Sequence, residues 1–225
     1  MKTRRAFLRS ALSILTGVVF SSSALFLPVR RLYAKAKRFI IPKGTKRETL
    51  VDRNPAELDP TNLEITPLKD FGKMGLSEHI VDISKWKLEI EGHVKNPTKI
   101  SYEEIKKLPY IKRKVLMICP GYFANYGEWE GISFKELLRI SKAESNITHV
   151  TVKGPLGVYG QTQRFPMKEI ISNQVFLAYK VNGKPLPVKH GFPLRIVAED
   201  YYGFDWVKYV SIVTIDKIEE KSKED

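Results

Sequence analysis

The chain has 225 residues, 43% of them hydrophobic and 11% aromatic, which is enough apolar matter for a packed core in one domain. A single cysteine excludes any internal disulfide framework, and no repeat or low-complexity tract is evident. The formal charge of +13 is uneven: residues 1–36 hold seven basic residues and no acid, and taking those seven from 38 leaves 31 basic against 25 acidic residues. That modest excess, without a clustered basic face or an aromatic-basic module, argues against nucleic-acid binding.

Arg4 and Arg5 precede an apolar run from Ala11 to Leu27. A basic start followed by an apolar run reads as a targeting segment over residues 1–36. It resembles the twin-arginine export signal, with Arg9 where lysine is more usual. Ala34-Lys35-Ala36 suits a small-x-small cleavage site, yet it lies beyond Arg30 and Arg31, so an uncleaved N-terminal membrane association also fits. The run is short for a comfortable span. The expected location is the periplasm or another extracytoplasmic compartment, where a lone thiol has to be buried or bound to something.

Residues 37–65 are polar, basic and proline-punctuated, and we expect an extended arm leading into a domain over 66–225. Residues 86–91 alternate apolar and polar, as a strand with one buried face does. Asn96-Pro97 marks the next turn. Ser101 with Glu104 forms a capping box that opens a short helix ending at Leu108-Pro109. The apolar run Val115-Leu116-Met117-Ile118 then enters Cys119, and Pro120-Gly121 breaks it. This is a buried strand, 111–119, with the thiol at its tip. A second capping box, Ser133 with Glu136, opens a helix whose apolar face is Phe134, Leu137, Leu138 and Ile140. Further strands are expected at 148–153, 157–163, 175–181, 193–198 and 206–215, with a short helix starting at Pro166. Asn182-Gly183 is a tight hairpin signal. The sum is an α+β, strand-rich domain with short helices.

Several chemistries are absent. There is no HExxH, GxSxG, P-loop, GxGxxG after a strand, or paired-cysteine zinc pattern. Histidines 79, 93, 149 and 190 are scattered without ligand spacing. Cys119 by itself reads as a soft metal ligand, a nucleophile, or a small buried hydrophobe. A nucleophile would need a base histidine close in space, and no motif supplies one.

Three stretches in order carry a resemblance. They are the Cys119 segment with Trp129-x-Gly131-Ile132; then Leu177-Ala178-Tyr179 with Asn182-Gly183-Lys184-Pro185-Leu186-Pro187 and His190-Gly191-Phe192-Pro193-Leu194-Arg195; then Gly203 through Tyr209. Together they are similar to the molybdopterin-binding domain of the sulfite oxidase family, which includes the periplasmic methionine sulfoxide reductases. The resemblance covers roughly 65–215. It implies the mixed-sheet, barrel-like fold of that family and a molybdenum–molybdopterin cofactor. It implies that Cys119 is the thiolate ligand of the metal and that His190 hydrogen-bonds the pterin or its phosphate. Arg195 and Lys208 would hold the phosphate, with the backbone near Trp206 and Val207 contributing; Trp206 is equally suited to the core. Phe71 and Lys73 fall where the family's N-terminal cofactor strand lies. Tyr159, before Gly160, falls at the catalytic tyrosine of sulfite oxidases, where a phenol can donate a proton or orient substrate; it also suits a strand-packing role.

The departures bear on substrate. Pro120-Gly121-Tyr122-Phe123-Ala124-Asn125 holds no arginine to receive an oxyanion, and only Arg164, of unknown direction, could supply one. The expected reaction is oxygen-atom transfer on a small sulfur- or nitrogen-containing substrate, of the sulfite-oxidation or S-oxide-reduction type. Electrons would pass to or from a separate partner, such as a membrane or soluble cytochrome. With the sequence closing at Asp225, we expect neither the additional dimerisation domain of full-length sulfite oxidases nor a haem. The alternative is a non-catalytic module that kept the fold and binds a partner.

Overall fold

The computed structural model describes residues 38–217; the expected export signal lies outside the described residues. Two five-stranded sheets share one continuous core.

The first sheet is built on a long hairpin. Strand β5 (Tyr110–Cys119) pairs antiparallel with β6 (Phe123–Ile132) through ten register positions, from Tyr110 opposite Ile132 to Cys119 opposite Phe123. Strand β9 (Val175–Val181) adds to β6, and β10 (Lys184–Pro185) and β11 (Arg195–Ala198) share its other edge. The β9–β10 turn is Asn182-Gly183 with φ of 51° and 74°, the left-handed pair that a two-residue hairpin needs.

The second sheet runs β4 (Thr98–Ser101), β3 (Lys87–Gly92), β12 (Ile212–Asp216), β7 (His149–Lys153) and β8 (Thr162–Pro166). Only β12 with β3 is parallel. Strand β3 buries Leu88 and Ile90 and turns Lys87 outward, as its alternation requires. Helix α1 (Tyr102–Lys107) begins with a complete capping box: the Glu104 amide donates to Ser101 Oγ and the Ser101 amide donates to the Glu104 carboxylate. Helix α2 (Phe134–Ile140) is capped by Ser133, which accepts from the Lys135 amide rather than joining Glu136. Helix α3 (Met167–Ile171) follows β8 directly.

The apolar run before Cys119 is explained by burial on both faces. Val115 and Met117 join the main core, whereas Leu116 and Ile118 join a second core with Ile41, Leu50, Leu58, Leu63, Ala124 and Tyr126. Residues 37–65 were read from the sequence as an extended arm; their described part, 38–65, supplies four of that second core's buried side chains. The arm includes the short parallel pair β1 (Phe39–Ile40) and β2 (Leu58–Asp59). By the same alternation Cys119 points with Met117, away from the arm.

Two expectations are corrected, and one strand goes beyond them. Strand β6 was not anticipated, because Gly127 and Gly131 disguise it. Both glycines answer close approach: a Cβ at Gly131 would lie 1.8 Å from the Leu177 carbonyl oxygen, and one at Gly127 would lie 2.9 Å from the Phe71 ring. Residues 157–159 form a 3-10 turn rather than a strand, and β8 begins at Thr162. The expected strand 206–215 is confined to β12, with a 3-10 turn at Gly203–Asp205 and irregular chain between.

Gly131→Ala should lower stability by about 3 kcal/mol or more, because the intruding atom is backbone and the strand pair cannot yield cheaply. A urea-denaturation midpoint at unchanged slope measures it.

Candidate active site

Beyond the tip of the β5–β6 hairpin lies an open cleft of roughly 270 Å³. Its walls come from residues 72–76, Met117, Cys119 and Phe123, residues 158–161, Lys189, His190 and Arg195, and residues 203–209 in part. Among these lining residues there is no Asp or Glu, while Lys73, Lys189, Arg195 and Lys208 are all present.

Cys119 ends β5 and is 3% exposed. A Cβ on Gly203 would come within 2.5 Å of its sulfur, so the thiol lies directly under the bare backbone of residue 203. Burial pushes the thiol pKa up, and the Arg195 and Lys208 charges pull it down. Arg195 is 3% exposed, and no carboxylate pairs with it among the described ion pairs. Its guanidinium sits 5.1 Å from the Trp129 ring centroid and 5.4 Å from that of Trp206. It donates to the carbonyl oxygens of His190 at 3.0 Å and Ile196 at 3.3 Å, and reaches Met117 Sδ at 3.5 Å. Burial lowers its pKa to about 10, which leaves it charged at neutral pH.

His190 is 2% exposed, and its Nε2 is buried without a hydrogen-bond partner. Burial first, then Arg195, Lys189, Lys208 and Lys73, hold its pKa down at about 4, so the ring is neutral at pH 7. Gly191, at φ 105°, follows it where a Cβ would press to 3.1 Å on Lys208 and 3.2 Å on Arg195. This accounts for glycine between histidine and arginine in the chain. Lys208 donates to the carbonyls of Met74 at 3.1 Å and Leu76, and burial with the Arg195 charge lowers its pKa to about 8. Lys73 donates to Ser77 Oγ at 3.2 Å.

Asn125, 1% exposed, fixes the 72–76 wall. Its Oδ1 accepts from the Gly72 amide at 3.1 Å, and its Nδ2 donates to the Gly72 carbonyl at 3.2 Å. A Cβ at Gly72 would strike the Phe123 ring at 2.2 Å.

Seven of the nine residues singled out in the sequence therefore line one cleft: Lys73, Cys119, Tyr159, His190, Arg195, Trp206 and Lys208. Phe71 and Val207 do not. Phe71 is a buried ring packed edge-on against His190 at 5.7 Å and against Trp129 at 5.9 Å, so it backs the histidine. Val207 is wholly buried with its backbone already used: its amide donates to Asp205 and its carbonyl accepts from Ile196. Tyr159 lies on a 3-10 turn rather than on a strand. Its ring meets His79 at 5.0 Å and Tyr209 at 5.7 Å. Sequence reasoning passed over Tyr209, a cleft residue held at φ 56° and 2% exposed, whose hydroxyl makes no hydrogen bond of ordinary geometry. A left-handed tyrosine leaves no mark in composition or periodicity. Arg164 lies on β8 against Thr151 and Asp216, outside the cleft lining.

The donor set fits an anionic heteroaromatic group. An orphaned imidazole nitrogen, an arginine with no counter-ion and three lysines face the same space, and aromatic rings wall it. Among the described residues, no group of three His, Cys, Asp or Glu side chains is placed to hold a metal. Cys119 is thus the one thiol in the cleft, beside the thioethers of Met74 and Met117.

Two packed sheets with a cationic, aromatic-walled cleft at one end define a protein that binds a large anionic cofactor. The particular family is shown directly: residues 75–224 match the oxidoreductase molybdopterin binding domain, and the chain belongs to that family. It is a molybdopterin-dependent oxidoreductase, and a module without a reaction is set aside. Among its relatives, an uncharacterized oxidoreductase of Bacillus subtilis is 26% identical over 67% of this chain and 75% of its own length. The catalytic subunit of a protein-methionine-sulfoxide reductase of Gluconobacter oxydans is 28% identical over 58% of this chain, and the match spans 46% of that protein. A putative protein-methionine-sulfoxide reductase subunit of Azospira oryzae is 24% identical over 96% of this chain and 81% of its length. The crystal structure of the sulfane dehydrogenase SoxCD from Paracoccus pantotrophus shares the fold with a TM-score of 0.58 at 21% identity, over 65% of this chain and 42% of that one.

His190 also predicts a pH dependence of stability. Its folded pKa of about 4 lies below the ordinary value of 6.5, so the unfolded chain takes up a proton before the folded one does. Its contribution is complete above the unfolded value and is lost as pH falls from 6.5 toward 4, at no more than about 1.4 kcal/mol per pH unit. His190→Gln should flatten this part of the acid limb in denaturation midpoints taken at successive pH values.

Proposed function

We propose that the chain is an exported enzyme that transfers an oxygen atom to or from a small sulfur- or nitrogen-containing substrate. The observation that carries the proposal is the convergence of Cys119 with Arg195, His190 and Lys208 on one cleft free of acidic residues. When bound, the molybdenum–molybdopterin group supplies the two-electron exchange of oxygen. Cys119 is the protein's thiolate ligand to the metal, presented on a rigid strand end; burial raises its pKa, two nearby cations oppose that rise, and coordination to the metal would hold the sulfur deprotonated. Arg195 and Lys208 hold the phosphate, the first as a fixed fork and the second as a point charge. Neutral His190 offers Nε2 to the pterin as the hydrogen-bond partner that atom lacks. Lys73 and Lys189 add positive potential at the mouth.

Tyr159 stands at the side of the cleft with its phenol as proton donor or substrate-orienting group. S-oxide reduction consumes two protons and two electrons and releases water, so a donor of protons beside the reacting oxygen is required. The similarity to protein-methionine-sulfoxide reductase subunits favours this direction. The electrons come from a separate redox protein such as a cytochrome. The paired arginines and apolar run at the N-terminus assign the twin-arginine route and an extracytoplasmic location, with the signal either cleaved or retained. No described helix is long and apolar enough to cross a membrane.

The test is elemental analysis of molybdenum per chain in wild type and Cys119→Ala, expressed with residues 1–36 intact in a host that makes the cofactor. Near-stoichiometric metal is expected in wild type, with turnover of S-oxides, N-oxides or sulfite. Cys119→Ala should keep the pterin and lose turnover. A well-folded wild type without molybdenum overturns the proposal.

A further inference from the structure

Residues 72–76 form one wall of the cleft, and the chain they belong to is weakly rooted. Residues 71–86 hold no helix or strand. From Lys73 to Val81 no described hydrogen bond joins main chain to main chain, within the segment or beyond it. Between Gly72 and Trp86 only Ser77 is a buried side chain. Met74, Leu76, Ile80 and Ile83 face solvent, Ile80 at 83% exposure, so no apolar residue fastens the segment to the core. A long connection without ladder bonds or buried apolar contacts lies at the low-stability end of a fold.

A few side-chain contacts hold it. Asn125 grips Gly72 from both sides at one end, and Trp86 packs on the main core at the other. Lys73 closes on Ser77 at 3.2 Å, which ties residues 73–77 into one piece. Between the two ends there are two holds on the rest of the domain. Lys208 Nζ donates to the carbonyls of Met74 and Leu76. His79, half-buried, lays its ring against Tyr159 and Tyr209, 5.0 Å from each ring centroid. The two tyrosines meet edge-on at 5.7 Å, and both line the cleft, so the three rings make one cluster on its side. Burial raises the pKa of the Tyr209 phenol, and the adjoining His79 backbone opposes the rise. The ammonium of Lys208 has three donors, and the segment takes two of them. On the reading given above the third serves the cofactor phosphate, so that hold is shared with the cofactor. The hold made by His79 is not.

We propose that His79 is a positioning residue that latches residues 73–80 as a cover over the cleft. With its ring on Tyr159 and Tyr209 the cover is shut and a bound cofactor is retained. With the ring withdrawn, the segment swings out between Gly72 and Trp86 and the cofactor can enter or leave. What is retained rests on the cofactor reading; the latch belongs to the chain alone.

The test uses the full chain from a host that makes the cofactor and from one that does not, as wild type, His79→Ala and His79→Phe. The phenylalanine keeps a ring and removes the imidazole. Opening of the cover is read as tryptic cleavage after Lys73, with cleavage after exposed Lys43 as the internal reference. Retention is read as pterin fluorescence remaining with the chain after timed dilution and gel filtration. Two ring contacts are lost in His79→Ala, so cleavage after Lys73 should rise about tenfold relative to Lys43, with cofactor loss faster by about the same factor. His79→Phe should stay within about twofold of wild type on both. Unchanged cleavage after Lys73 in His79→Ala overturns the proposal, and so does an equal rise at Lys43, which is general loosening. A His79→Phe chain that behaves as His79→Ala also overturns it, because ring packing is then not the latch. Faster cleavage without faster cofactor loss overturns it as well, since the cover is then not the exit. If wild type from the competent host holds no pterin, the cofactor reading fails, and cleavage of the cofactor-free chains still decides the latch.

Discussion

A guanidinium buried without a carboxylate is the constraint on which the site depends. Taking the Arg195 charge out of water is costly, and the protein repays only part of that cost. Two indole faces, at 5.1 and 5.4 Å, and two backbone carbonyls accept the cation, but none of them cancels its charge. The surplus positive potential is felt by its neighbours. It helps hold His190 neutral, depresses Lys208 and draws the Cys119 thiol toward its ionised form. Burial is the larger cause at all three, and at Cys119 it outweighs the cation and raises the pKa; one placement still acts on three other cleft residues, and an anionic cofactor is what completes the balance.

Keeping that cation in place requires a deep wall, which the two sheets provide. Trp129 comes from β6 and Trp206 from the chain leading to β12, and both are buried in the core shared by the sheets. The rings also touch each other, at 5.6 Å. Behind them, β5 and β6 are covered on their second face by side chains from residues 38–65. The arm therefore supports the strand that carries Cys119, although it contributes nothing to the cleft lining.

What the sequence made legible follows from how local each signal is. The Ser101–Glu104 box and the Asn182-Gly183 turn are decided within four residues, and both stand where expected. Strand β9 is a run of apolar residues between turn signals, and its limits of 175 and 181 were readable. Strand β6 was not, because its glycines are set by Leu177 and Phe71, which are remote in sequence. The site divides in the same way. His190, Arg195 and Lys208 belong to dense motifs, whereas Gly203, Asn125 and Tyr209 act through backbone clearance, a two-sided amide contact and a left-handed φ. None of those three leaves a mark in a one-dimensional pattern. Phe71 illustrates the reverse: its region was identified, but only the structure shows that it supports His190 from behind.

The clamp of Asn125 on Gly72 has a kinetic meaning. It joins positions 53 apart in the chain, and the cleft it helps to close also needs Arg195 and Lys208, contributed late in the sequence. Contacts of such separation form slowly, because the entropy of closing long loops is lost before any contact repays it. No half of the chain contains the site. A partly folded chain offers the cofactor a few scattered cations and an exposed thiol. The finished domain offers a single shaped cavity, so tight retention of the cofactor reports that the last strands have docked, and binding in turn stabilises the folded state by mass action. The prosthetic group serves as the protein's own seal on complete folding.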